Sequence, residues 1–214
     1  MTFISYGTPE SDDQAVGDDD TLWGWDDTGL VGVGLAPDEQ LRDVTIDNAW
    51  KSKIDADALS TAVFSAYMAA VQARVTAYPH GAPTPAPDPT RAADADPAAP
   101  TEIPEIDFTL MEQVDRERDD YLASFEESLD VQHSYASRDG NVTVTASGGS
   151  PTSITFDSTW MRFAAARDIA ESVTEALTPA IESGQVIAAE MRERFPAIAE
   201  FRRLRAIKKA ARGF

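Results

Sequence analysis

The chain carries one stretch twice, about 110 residues apart, and no other feature limits its fold as much. Asp139-Gly140-Asn141, followed by Val142-Thr143-Val144-Thr145-Ala146, has an earlier counterpart in Asp27-Thr28-Gly29 and the run Leu30 to Leu35. Val44-Thr45-Ile46-Asp47 lines up with Ile154-Thr155-Phe156-Asp157, and Trp50 with Trp160. Further along, Leu59 meets Ile169, Val63 meets Val173, Tyr67 meets Leu177, Ala70 meets Ala180 and Val71 meets Ile181. One residue of slippage separates the strand match from the helix match, as a single loop indel would produce. The match pairs tryptophans, strand-end acids and apolar helical positions, so we read it as a tandem duplication of one small domain.

Within each copy the period of the apolar residues changes from two to 3.6. In the first, Leu22 to Asp26 puts Trp23 and Trp25 on one face of a strand, because side chains alternate. Asp27-Thr28-Gly29 turns the chain, Leu30 to Leu35 returns, and Leu41 to Asp47 forms a third strand with Val44 and Ile46 on one side. Gly32-Val33-Gly34 lies inside a strand and lacks a third glycine, so it predicts the close approach of a neighbouring backbone rather than a nucleotide site. After Trp50, Asp55 or Asp57 is placed to cap a helix whose apolar face is Leu59, Val63, Tyr67, Ala70 and Val71. Its many alanines allow close packing, and Pro79 ends it.

The second copy adds a leading amphipathic helix over 107–131, with Leu110, Val114, Tyr121, Leu122, Phe125 and Leu129 on its apolar side. Strands are expected at 132–137, 141–147 and 152–157, joined by Asp139-Gly140, a strong hairpin signal, and by Gly148-Gly149-Ser150-Pro151. A closing helix begins near Ala164 with Ile169, Val173, Leu177 and Ile181 on its buried side; Pro179 is placed to bend it and Gly184 to break it.

The expected fold class is therefore α+β. It comprises two tandem domains, each a three-stranded antiparallel sheet with helices in the order helix-strand-strand-strand-helix, the first lacking the leading helix. The two copies are expected to form an intramolecular pseudo-dimer. Its divisions are an acidic leader (1–20), the first copy (21–78), a Pro/Ala-rich linker (79–105), the second copy (106–190) and a basic C-terminal helix (191–214). The linker carries Pro79, Pro83, Pro85, Pro87, Pro89, Pro97, Pro100 and Pro104, a composition that favours an extended spacer.

Charge and composition narrow the function classes. The formal net charge is -19, and it is unevenly spread. Residues 1–50 hold 12 acids and one base, whereas the last 14 residues hold six bases and no acid. Bulk acidity repels phosphate, so a nucleic-acid contact would have to be local to the C-terminus. There Arg202, Arg205, Lys208, Lys209 and Arg212 share about a third of a helical circumference, with Arg203 outside the stripe. These six residues are the candidate binding surface. Three outcomes are open for them: contact with a protein or a membrane surface, contact with nucleic acid, or docking of the helix on its own domain with the stripe against acids such as Asp115, Asp119 and Asp120.

No cysteine is present, which removes disulfides, thiolate nucleophiles and Cys-ligated zinc. His80 and His133 stand in no metal-binding spacing. No phosphate-cradling loop or nucleophile elbow occurs, and none of the 37 acids is singled out as an acid–base pair. The acids of the leader lack calcium-loop spacing. No apolar run approaches the roughly 20 residues of a membrane span, and the N-terminus has neither the basic region nor the apolar core of a signal peptide. A non-enzymatic, cytoplasmic protein without cofactor, metal or small-molecule substrate is expected.

The strand Gly-Asn-Val-Thr-Val-Thr-Ala (140–146), the strand Ser-Ile-Thr-Phe-Asp (153–157) and the helix after them resemble the YbaB/EbfC-like family of nucleoid-associated proteins. The resemblance covers roughly 110–190 in full and 22–78 without the leading helix. It implies α+β domains that dimerise and, for several members, DNA binding; acidic actinobacterial relatives occur among genes of type VII secretion systems and look like accessory factors. Tyr135 and Asp139 have the Y-x-x-x-D spacing of a type VII export signal, but on a predicted strand, where the match is chance. Acidity and duplication both depart from the DNA-binding members. The expected function is thus a non-catalytic protein-interaction or assembly factor, an accessory protein of type VII secretion, with a protein partner or self-association. The alternative is a nucleoid-associated protein that holds DNA through its basic C-terminal helix.

Overall fold

The computed structural model describes residues 20–78 and 106–211. The leader, the linker and Arg212 lie outside the described residues, apart from Asp20. In the first copy, β1 (Leu22–Trp25), β2 (Val31–Leu35) and β3 (Leu41–Ile46) form an antiparallel sheet in the order β1-β2-β3. A short helix α1 (Trp50–Lys53), a 3-10 turn (Ala56–Ala58) and α2 (Leu59–Ala77) follow. The second copy opens with α3 (Phe108–Asp130) and continues with β4 (Gln132–Ala136), β5 (Val142–Ser147) and β6 (Ser150–Phe156), again antiparallel in chain order. Helices α4 (Ser158–Met161), α5 (Ala166–Arg194) and α6 (Pro196–Ala211) complete it.

The duplication is visible down to single hydrogen bonds. Asp26 N donates to Val31 O and Ser137 N to Val142 O; Gly29 N donates to Asp26 O and Gly140 N to Ser137 O. Both turns need a residue at positive φ, and Gly29 (φ 66) and Gly140 (φ 71) supply it without the steric penalty of a side chain. Each third strand is fastened to the end of the hairpin, Asp47 N to Leu30 O and Asp157 N to Asn141 O.

Val31, Val33 and Leu35 turn inward onto α2, with its buried Leu59, Val63 and Ala66. Val44 and Ile46 of β3 face α5, as do Val142, Val144, Ala146 and Ile154, and α5 buries Ile169, Val173 and Leu177. These two sets are one continuous core, not two. Helix α2 crosses β1 and β2 and reaches β6 of the other sheet; α5 covers its own sheet and lies along β3. Each closing helix therefore buries its apolar face against both sheets, and the copies pair inside one chain.

Close approach sets the α2 crossing. A Cβ on Gly24 would fall inside the α2 backbone at Ala66 and Ala70, which are small and one turn apart. A similar contact joins Gly149, at φ 75, to Gly184 of α5: a Cβ on either would strike the other's backbone.

That contact corrects one expectation, since Gly184 does not break the helix. Alpha-helix α5 runs unbroken through Pro179 and Gly184 to Arg194, the buried Ala176, Leu177, Ala180 and Ile181 offsetting the propensity cost of both. Capping of α2 is a second correction. Neither Asp55 nor Asp57 caps it with a side chain; the 3-10 turn carries the chain into the helix instead. Elsewhere the acids do cap, Asp107 Oδ1 accepting from Leu110 N at 2.7 Å and Asp157 Oδ1 from Trp160 N at 2.7 Å.

Candidate interaction site

Alternation along β1 places Trp23 and Trp25 on the outer face of the first sheet, away from the core. Across the strands Trp23 is paired with Gly34 and then Asp43, and Trp25 with Gly32 and then Thr45. The missing side chains on β2 are filled by the indoles. A Cβ on Gly32 would come within 2.8 Å of Trp25 Cζ3 and 2.9 Å of Thr45 Cγ2, and one on Gly34 within 3.3 Å of Trp23 Cε2. The expectation of a neighbouring backbone over these glycines is thus wrong: tryptophan rings lie there.

The two rings are nearly parallel, with centroids 5.8 Å apart and planes 22° apart. Trp23 remains 37% and Trp25 49% exposed, a large apolar area for residues that could have been turned inward. Exposed Asp43, with Asp20 and Asp27 at the two ends of β1, makes the border acidic. Two bases are close by: Arg42, at the bulge beside Asp43, and Arg167 of α5, which lines a shallow pocket with Asp43.

The second sheet carries different residues at the same places. There the positions corresponding to Trp23 and Trp25 are Ser134 and Ala136, and those of Gly32 and Gly34 are Thr143 and Thr145. The outer face of the second sheet is small and hydroxylated, with Ser153 and Thr155 on β6. Sequence reasoning placed both tryptophans on one face but gave that face no role; the signal was the pairing of two tryptophans with two strand glycines.

Arg202, Arg203, Arg205, Lys208 and Lys209 lie on α6, which begins at Pro196 rather than at 191, because α5 continues to Arg194. Its apolar side packs along α3: Ile198 and Leu204 are buried, whereas Ile207 is 37% exposed. The first turn of α6 is held by an acid from α3, Glu117, whose Oε2 accepts from Ala197 N at 3.1 Å and Ile198 N at 3.2 Å. This places a negative charge at the positive end of the helix.

The helix docks on its own chain, but not by the pairing expected. Asp115 and Asp119 pair with Arg118 on α3, not with the basic stripe. Arg202 rests over the Tyr121 ring at 4.8 Å, and Tyr121 meets Phe195 edge-on at 5.4 Å. Arg203 is held by Glu200 through two bonds of 2.7 Å; that hydrogen bond raises the arginine's pKa and lowers the glutamate's. Arg205 and Lys209 are exposed and Lys208 half-buried.

A groove of about 590 Å3 runs where α3, α5 and α6 meet the β2–β3 turn, floored by Phe125, Ile187, Met191 and Phe195. The ion pair Arg74–Glu39, at 2.6 Å, lies at its rim. His133 is exposed on β4, and no three His, Asp or Glu among the described residues are grouped to hold a metal ion. No helix among the described residues is long and apolar enough to cross a membrane.

No family model matches the chain, and no curated protein matches it. Among solved structures, the uncharacterized protein HP0035 from Helicobacter pylori aligns at 18% identity and a TM-score of 0.36, covering 41% of this chain and 94% of that one.

Proposed function

We propose that this chain is a non-catalytic, cytoplasmic interaction or assembly factor that binds a protein through the outer face of its first sheet. The observation that carries the reading is the exposed, near-parallel Trp23–Trp25 pair, laid over Gly32 and Gly34 where the second copy has serine, alanine and threonine. Tryptophan is the side chain most enriched among residues that dominate protein interfaces, because it buries much area at little entropic cost. The duplication supports the same reading: one sheet keeps a plain polar face and the other has acquired an aromatic one. The resemblance to YbaB/EbfC-like proteins, whose acidic members lie among type VII secretion genes, makes an accessory factor of that system the finer form of this proposal.

Holding DNA through α6 is the alternative. Its case rests on Arg205 and Lys209, exposed on an otherwise acidic chain. Charge weighs against it, since phosphate must approach past an overall charge of -19.

The test replaces Trp23 by serine and Trp25 by alanine, the residues the second copy uses. Proteins cross-linked in cells to the native chain should be lost from the doubly substituted one while its circular dichroism stays unchanged. An unchanged set of partners would remove the sheet face from consideration. Titration of labelled duplex DNA at two salt concentrations checks the alternative, which predicts binding that weakens steeply with salt and is lost in Arg205→Ser/Lys209→Ser.

A further inference from the structure

We infer that the partner of the tryptophan face is the basic helix α6 of a second copy of this chain, so that molecules associate head to tail. This deepens the function proposed above and rests on it. The face combines two exposed indoles with the carboxylates of Asp43, Asp20 and Asp27, a setting that favours a cation lying over an aromatic ring with a carboxylate beside it. The chain itself holds a matching surface. Its last 14 residues contain six bases and no acid, and on α6 Arg205 and Lys209 are exposed.

The rings are stacked on each other, so the pair offers an outer face to one cation, and Arg205 lying there leaves Lys208 and Lys209 to reach the acidic border. The two surfaces cannot meet within one molecule as it is folded. Helix α6 packs on α3 and α5, whereas the indoles lie on the side of the first sheet turned away from α2. The contact is heterologous, since one surface of a molecule meets a different surface of the next, and it builds rings or open chains rather than a two-fold dimer.

The experiment uses the full chain in three forms: native, Trp23→Ser/Trp25→Ala, and Arg205→Ser/Lys209→Ser. Mass is measured by light scattering across a hundredfold range of concentration at low and 1 M salt. The native chain should grow in mass with concentration at low salt and return to monomer at 1 M, where charge is screened beyond about 3 Å. Each variant alone should stay monomeric. Mixed in equal amounts they should form one-to-one dimers and nothing larger, because each supplies the half the other lacks. Asp43→Lys, which leaves the indoles in place, should weaken native association at least tenfold and guards against a folding defect in the tryptophan variant. A native chain that stays monomeric, or variants that fail to complement each other, overturns the inference. If the native chain is monomeric but the tryptophan variant loses a cross-linked partner in cells, the proposed binding face stands and only its occupant is wrong. If native and tryptophan variant associate equally, both fail.

Discussion

Asp26 and Ser137 stand at the same place in the two hairpins and make the same bond with different chemistry. Asp26 Oδ1 accepts from Val31 N at 2.9 Å, and Ser137 Oγ accepts from Val142 N at 3.1 Å. They are the two buried polar side chains among the described residues. The carboxylate does more than the hydroxyl. It also takes the N–H of Leu30 at 3.0 Å and both the N–H and the hydroxyl of Thr28. Burial pushes the Asp26 carboxyl up, but the bonds from Thr28, Val31 and Leu30 outweigh it and hold its pKa below the ordinary value.

A depressed folded pKa makes this bond set acid-labile. The stability it gives is present above the unfolded carboxyl value near 4 and is lost as pH falls through the folded value. Asp26→Ser should keep the Val31 bond and remove that part of the acid dependence. Asp26→Ala leaves buried N–H groups without a partner and should cost about 1–3 kcal/mol at neutral pH. Urea denaturation from pH 2 to pH 7 checks both; equal acid slopes in native protein and Asp26→Ser would contradict the assignment.

Tyr67 gives the opposite dependence at the other end of the scale. Burial, with the Glu39 charge added, raises its pKa to about 12. Its contribution is complete below the unfolded value near 10 and disappears as pH rises toward 12. The tyrosinate absorbance of the folded chain should show one late-titrating group, absent in Tyr67→Phe. Titration of all tyrosines near 10 would show that Tyr67 is not held in the core.

Trp50 and Trp160, paired by the duplication, share a place in sequence but not an environment. Trp50 is 2% exposed inside the core. In the second copy α4 starts one residue after Asp157, whereas α1 starts three residues after Asp47, so Met161, also 2% exposed, is the buried side chain and Trp160 is half-buried. Trp50→Ala should cost on the order of 3–5 kcal/mol, and Trp160→Ala less than half of that. Equal losses in chemical denaturation would mean that the two sites are equivalent after all.

The strands and closing helices were legible because each is written in two independent signals. Val142, Val144 and Ala146 alternate, and Asp139-Gly140 marks the turn; Ile169, Val173 and Leu177 repeat at helical spacing. What escaped was set by contacts between distant segments. Gly184 looks like a helix breaker until Gly149 is laid against it, and Gly32 and Gly34 look like backbone contacts until Trp23 and Trp25 cover them. The exposed tryptophan face follows from the register of β1 on β2, which a sequence read strand by strand does not contain. Basic residues on α6 were visible as a stripe, but Glu117 as the acid that holds the helix was one of many on α3.

Helices α3 and α6 should behave as one weakly held unit on a stable base. No residue of α3 is buried; Leu122, Phe125 and Leu129 are between 43% and 49% exposed, and the helix leans mainly on α6. Helix α6 in turn has Leu204 at 6% exposure and its first turn on Glu117. Few buried contacts imply local opening at a free energy well below that of the core. Glu117→Gln removes a charge from the positive end of α6 and should cost that unit about 1 kcal/mol. Leu204→Ala should cost it about 2 kcal/mol or more. Hydrogen exchange then accelerates in both helices together, while amides of β2, β5 and the first half of α5 keep their protection. Exchange that accelerates in the core strands as well would show that α3 and α6 belong to the same cooperative unit as the sheets, and the stripe on α6 would lose the independence that binding a second molecule requires.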